Sequence, residues 1–226
     1  MGVFNDIVDT KLLSEEEYAR STNEPLSDVK KRVELASLMI EFLEFINAPK
    51  QFYIARDLQI YYPLEELQKT LKKCHTEDEK EDIKISIFNN ILLQPAGDMT
   101  RFIRNFKNII GTSFQDEFIE EQKELAVKAI EILPEVGKVN TTVIREVVRS
   151  NDELNQEMER SVEKALTKVK KNDTRNKPIQ LAEKATTFLE SIDINIISKM
   201  NDSEVQRLKR QLDRLSDTIE TIKEQL

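Results

Sequence analysis

Residues 14–36 read SEEEYARSTNEPLSDVKKRVELA, two helical patterns separated by a turn signal. Ser14 with Glu17 three positions on can satisfy two orphan amides reciprocally, so a capping box opens a short helix over 14–22. Thr22-Asn23-Glu24-Pro25 then interrupts it. Asn tolerates a left-handed backbone, and Pro25 fixes φ for a new helix start while forcing Glu24 out of the α region. Beyond the turn, Leu26, Val29, Val33, Ala36, Ile40 and Leu43 recur at helical spacing, which fits one helix to Ile46 or two with a joint near Ser37.

Three of these positions suit two closely crossed helices. Ala19 is small enough for close approach, Asn23 four positions on can take the left-handed turn, and the branched Val29 locks the second helix beneath the first. Val33 continues the buried side. This is the spacing of a DNA-reading helix-turn-helix, whose second helix would present Ser27, Asp28, Lys30 and Lys31, with Arg32 nearby. Ser27 and the helix N-terminus can meet phosphates, and the lysines can neutralise them or donate to guanine. Glu24 and Asp28 oppose this locally, because carboxylates are repelled by phosphates unless they accept from cytosine.

The remainder extends the helical pattern. The chain has 226 residues, 39% apolar and 34% charged, with 4 Gly, 6 Pro and no Trp. That composition suits helices with one buried stripe and a charged outer face. Helices are expected over Gln51–Leu58, from Pro63 at a first helical position, from a Thr76/Glu79 capping box to Pro95, and over Met99–Ile110 capped by Asp98 and stopped at Gly111. Residues 1–111 therefore read as a multi-helix bundle containing the helix-turn-helix. Long helices follow over 112–177, starting near Thr112, Asn140 and Asp152. Segment 160–177 carries seven basic and two acidic residues, and its polar end, Asn172–Lys177 before Pro178, reads as a basic linker.

Residues 178–226 hold the sharpest periodicity. Val205, Leu208, Leu212, Leu215, Ile219, Ile222 and Leu226 follow one another at spacings 3, 4, 3, 4, 3, 4, the a/d repeat of a coiled-coil seam. Two outcomes fit it: pairing between two chains, or an intramolecular hairpin with Leu181, Ala185, Phe188 and Ile192 as the opposing face. The expected class is all-α, ending in a coiled-coil dimerisation helix.

Composition also excludes functions. A formal charge of −8 and a pI near 5.0 make the whole chain no electrostatic magnet for nucleic acid or anionic lipid, so any polyanion site is local. The lone Cys74 cannot form an internal disulfide, and no apolar run approaches the ~18 residues of a membrane span. Met1-Gly2-Val3-Phe4-Asn5-Asp6 lacks the basic flank of a signal peptide, so the cytoplasm is the expected compartment. Gly2, Gly97, Gly111 and Gly137 stand too far apart for a phosphate cradle. Cys74 and the single His75 are adjacent, so on a helix they diverge and suit neither metal nor nucleophilic chemistry. Glu15-Glu16-Glu17 and Glu77-Asp78-Glu79 sit at helix starts, where carboxylates complement the dipole. No enzyme, cofactor or metal is expected.

Residues 12–110 resemble the central region of ParB-like chromosome and plasmid partition proteins. The resemblance rests on Glu17-Tyr18-Ala19-Arg20, Val29 through Ala36, Phe52-Tyr53-Ile54-Ala55-Arg56-Asp57-Leu58, and Gly97-Asp98-Met99-Thr100-Arg101-Phe102-Ile103-Arg104. It implies a nucleoid- or plasmid-associated protein that binds duplex DNA as a homodimer, with a partition ATPase as a further partner. It also implies that helices after the reading head touch the DNA backbone, which singles out Arg101 and Arg104. A solvated or salt-bridged face is the other reading of these arginines, and of Lys107, Lys69, Lys72 and Lys73.

Two features depart from the family. Residues 1–13 cannot supply its nuclease-like or CTP-binding domain, so CTP chemistry is not implied. Asn23 replaces the turn glycine, and Glu24-Pro25-Leu26 replaces the basic residues after it. The alternative expectation is an all-helical interaction or scaffold protein with a vestigial helix-turn-helix.

Overall fold

The computed structural model describes residues 2, 5–95 and 98–226, without the side chains of Asn5, Asp9, Met99 and Arg101. Of the residues singled out above, Met1, Val3, Phe4, Gly97 and the Arg101 side chain thus lie outside the description. The class is all-α, and among the described residues there is no strand. The chain divides into two units, residues 1–172 and 173–226.

In the first unit, helix α1 (Glu15–Thr22) opens on the full capping box. The Ser14 hydroxyl accepts from the Glu17 amide at 3.2 Å, and the Glu17 carboxylate accepts from the Ser14 amide at 2.8 Å. Asn23 ends α1 in the left-handed region at φ 56°, and the Glu24 amide donates back to the Ala19 carbonyl. Helix α2 (Leu26–Phe45) then runs unbroken. Ser37 makes no joint, since its hydroxyl donates to the Val33 carbonyl within the same helix.

Ala19 and Val29 are buried against each other, with Ile7, Tyr18, Leu26 and Val33 half-covering them. This small cluster is separate from the main core, which begins at Leu35 on the same helix. Close approach at Ala19 needs a small side chain, and the turn between the helices needs a residue that accepts positive φ.

The main core is built by α2 with α3 (Phe52–Asp57), α4 (Tyr61–Leu71), α5 (Glu77–Leu93), α6 (Met99–Phe106) and α7 (Gln115–Glu131). Phe42, Leu64, Ile87, Ile91, Phe102, Phe106 and Phe118 are buried in it. It does not stop at Gly111, although that residue ends its segment at φ 80°. Helix α8 (Thr141–Val143), the π-helical turn Ile144–Val148 and residues 152–172 of helix α9 (Asp152–Glu190) add Ile144, Val148, Leu154, Met158, Val162 and Ala165 to the same core. The division expected at 111/112 is therefore no boundary of packing: α5, the most buried helix, packs most extensively on α7.

Arg149 helps close this arrangement. Its guanidinium donates at 3.1 Å to the carbonyls of both Ile91 and Leu92 at the C-terminal end of α5, where a cation complements the helix dipole. Burial, with Arg145 nearby, brings its pKa down to about 10.

Several local expectations are corrected. Pro63 is the third residue of α4, still in the first turn where an amide has no intrahelical partner. Thr76 caps α5, but the Glu79 carboxylate accepts from the His75 amide at 2.8 Å. Helix α6 ends at Phe106 rather than Ile110.

The linker expected over Asn172–Lys177 is helix, and Pro178 lies inside α9. An internal proline costs ~3 kcal/mol. The Gln180-Leu181-Ala182-Glu183-Lys184-Ala185 run beyond it consists of strong helix formers and carries the helix through.

The second unit holds residues 173–190 of α9, a short α10 (Ile194–Ile197) and α11 (Asp202–Lys223). Helix α11 starts on a full capping box between Asn201 and Glu204.

The left-handed turn yields a prediction. Asn23→Gly keeps the corner, whereas Asn23→Val destabilises it by ~1–2 kcal/mol because a β-branched residue resists positive φ. Amide exchange at Glu24 measures this: faster exchange in the valine variant alone is the expected result.

Candidate nucleic-acid interface

The two-helix corner stands at the surface, with Ser27, Asp28, Lys30, Lys31 and Arg32 all exposed at the start of α2. Pro25 offers no side-chain cap to this N-terminus; the Asp28 amide donates to the Pro25 carbonyl at 2.9 Å, and a helix start of this kind favours an anion. The Ser27 hydroxyl lies 3.5 Å from an Asp28 carboxylate oxygen.

Each cation here has a carboxylate beside it. Lys30 lies 3.7 Å from Glu15 on α1, Lys31 lies 3.6 Å from Asp28 one turn back, and Arg32 pairs with Glu24 at 2.8 Å. The Arg32 guanidinium also sits 5.9 Å from the Tyr18 ring centroid. Arg32 is thereby held across the corner, bracing the turn against α2, and the two lysines form its outward charge. Residues 14–36 carry six acidic and four basic side chains, a local charge of −2.

Behind the corner, Gln68 on α4 fixes the position of α2. Its amide nitrogen donates to the Lys31 carbonyl at 3.2 Å and to the Glu34 carboxylate at 2.5 Å. One residue on, Lys69 joins a second group of charges. Glu66 receives Lys69 at 2.8 Å and Lys107 at 2.5 Å, tying α4 to the segment after α6. Arg104 is exposed on α6, near enough to Lys69 for its charge to oppose protonation there. The Lys107 hydrogen bond, reinforced by Lys69, holds the Glu66 carboxyl down at about 2.

Arg104 is thus the outward cation of a cluster whose neighbours already serve an ion pair. Arg56 pairs with Asp57 at 3.0 Å. Phe102 and Phe106 are core, as their spacing implies. The salt-bridged reading of Lys69 and Lys107 holds, with Glu66 as their shared partner; the sequence reading missed Glu66 itself, Gln68 and the bracing role of Tyr18. Tyr18, four positions after Ser14 in a capped helix, was the one with a local signal.

The positions of the expected coiled-coil seam, Leu226 apart, are on α11. Val205, Leu212, Ile219 and Ile222 are exposed, while Leu208 and Leu215 are half-buried. Among the described residues no three His, Cys, Asp or Glu side chains converge as metal ligands, and no helix is long and apolar enough to cross a membrane. Burial pushes the Cys74 thiol up, and its sulfur lies 3.7 Å from the Thr70 carbonyl.

No family model, curated protein or solved structure matches the chain.

The Glu66 cluster sets a pH dependence. Its carboxyl titrates near 2 in the folded protein against an ordinary 4.5, so the folded state binds this proton less readily than the unfolded one. The stability it contributes is complete above about pH 4.5 and is lost as pH falls toward 2. Denaturant unfolding measured across this range should show Glu66→Gln flattening part of the acid loss, with little change in how stability varies between pH 6 and 8.

Proposed function

We propose that the chain is a non-enzymatic, ParB-like protein that binds duplex DNA as a homodimer, acting in plasmid or chromosome partition or related transcriptional control. One observation carries the reading. Ala19, Asn23 and Val29 form a tight corner with a left-handed Asn23, and Ser27, Lys30 and Lys31 stand exposed on its second helix. The resemblance over residues 12–110 points the same way. Ser27 and the open start of α2 would meet the phosphate backbone, Lys30 and Lys31 would neutralise phosphates or donate to guanine, and Arg104 would add a backbone contact from α6.

Binding requires Lys30 and Lys31 to exchange Glu15 and Asp28 for phosphate oxygens. Exposed ion pairs are weak and exchange readily, but the neighbouring carboxylates remain and keep one corner's affinity low. Two copies joined through Val205, Leu208, Leu212, Leu215, Ile219 and Ile222 would grip two half-sites, and linkage raises avidity without new contacts. The further partner this reading implies is a partition ATPase, with the dimer on plasmid or nucleoid DNA in the cytoplasm.

A second reading is an all-helical interaction or scaffold protein. The local charge of −2 in residues 14–36 favours it. Under it, the corner is a structural hairpin and α11 the working surface.

Fluorescence anisotropy with a labelled duplex at low salt tests both. Lys30→Glu with Lys31→Glu should abolish binding while circular dichroism stays unchanged, and unaltered affinity places the site elsewhere. Leu212→Asp with Leu215→Asp should give monomers in sedimentation and weaken DNA binding by about tenfold or more.

A further inference from the structure

Residues 173–226 carry two apolar stripes. One is the seam on α11 and Leu226. The other is Leu181, Ala185, Phe188 and Ile192, at spacings 4, 3, 4 along the end of α9 and just past it. Neither is covered: Phe188 is 73% exposed, Leu181 57% and Ile222 58%. No residue of this unit is buried.

Their lengths decide what can cover them. A hairpin within one chain pairs Ile192 with Val205, Phe188 with Leu208, Ala185 with Leu212 and Leu181 with Leu215. It leaves Ile219, Ile222 and Leu226 in water. Pairing α11 only with α11 of another copy covers the whole seam but leaves Leu181, Phe188 and Ile192 exposed, and about three heptads make a marginal two-stranded coil. An assembly that uses both stripes from two copies covers every one of these positions.

Charge and shape agree with a second copy as the occupant. With Val205 at position a, Glu204 takes g and Lys209 takes e. Where the two α11 helices lie side by side and parallel within the assembly, Glu204 of one meets Lys209 of the second copy, twice by symmetry. The later e and g positions, Gln211, Ser216, Thr218 and Lys223, bring no like charges together. A groove of about 560 Å³ with Ile196, Met200 and Leu208 on its wall opens onto the same surface, because Leu208 belongs to both groove and seam.

We propose that two copies of the chain join as a four-helix assembly in which the Leu181–Ile192 stripe packs into the α11 seam, rather than as a two-stranded coiled coil. This rests on the dimer in the reading above and names the surface that forms it.

Sedimentation equilibrium of the full chain tests it. The parent should be dimeric at micromolar concentration, and Phe188→Asp should weaken dimerisation by about tenfold or more with helix content retained. Phe188→Ala, which keeps a strong helix former, should shift the equilibrium the same way, and Phe188→Leu should restore it. If both the aspartate and alanine variants dimerise like the parent while Leu212→Asp with Leu215→Asp is monomeric, the seam is two-stranded: the four-helix assembly falls and the dimer stands. A monomeric parent overturns both, and a parent larger than a dimer overturns the four-helix assembly.

Discussion

Helix α2 belongs to two cores at once, and the placement of the candidate interface follows from that. Its first turn carries Val29 into the small cluster with Ala19, and from Leu35 through Leu43 the same helix lies in the main core. The cluster has two fully buried residues, far too few to be stable alone. It persists because an unbroken hydrogen-bonded helix keeps Val29 in fixed phase with Leu35, Phe42 and Leu43. The Gln68 amide adds a clamp at Lys31 and Glu34. Ser27, Lys30 and Lys31 are consequently carried on a rigid element, which suits a surface that must match a groove.

Charge works against this geometry and shapes the proposed mechanism. The protein is acidic overall, and the two-helix corner is locally acidic too, with Glu15, Glu24 and Asp28 beside the three cations. Arg32 serves the corner through Glu24 and Tyr18, while the lysines hold longer contacts that a phosphate can replace. A single corner of this kind would bind a duplex weakly, and under the proposed reading the joining of two copies through α11 offsets this. The Glu66 cluster is different in kind: its carboxylate is well covered and takes two lysines, so it holds α4 to the end of α6.

Local chemistry was legible in the sequence, while contacts between distant segments were not. The Ser14/Glu17 and Asn201/Glu204 caps and the left-handed Asn23 depend on residues a few positions apart; the Ser14/Glu17 cap and Asn23 were legible, whereas the helix expected to run to a stop at Gly111 ends at Phe106. Pro178 misled because a proline after a polar run resembles a linker, while the helix formers beyond it outweighed its penalty. The Lys30–Glu15 pair and the Gln68 clamp join separate helices, and no spacing rule announces them. Whether Ser37 marked a joint was undecidable from periodicity, since one helix and two share the same apolar positions.

The salt dependence of duplex binding tests the account most directly, because it counts neutralised phosphates. Affinity of the intact protein for a labelled duplex should fall steeply between low and moderate salt, with a logarithmic slope of about 0.9 per phosphate contacted. Converting both lysines of α2 to glutamate should flatten it. Absence of binding at low salt, or a slope indifferent to salt, would contradict the corner as a DNA-reading surface.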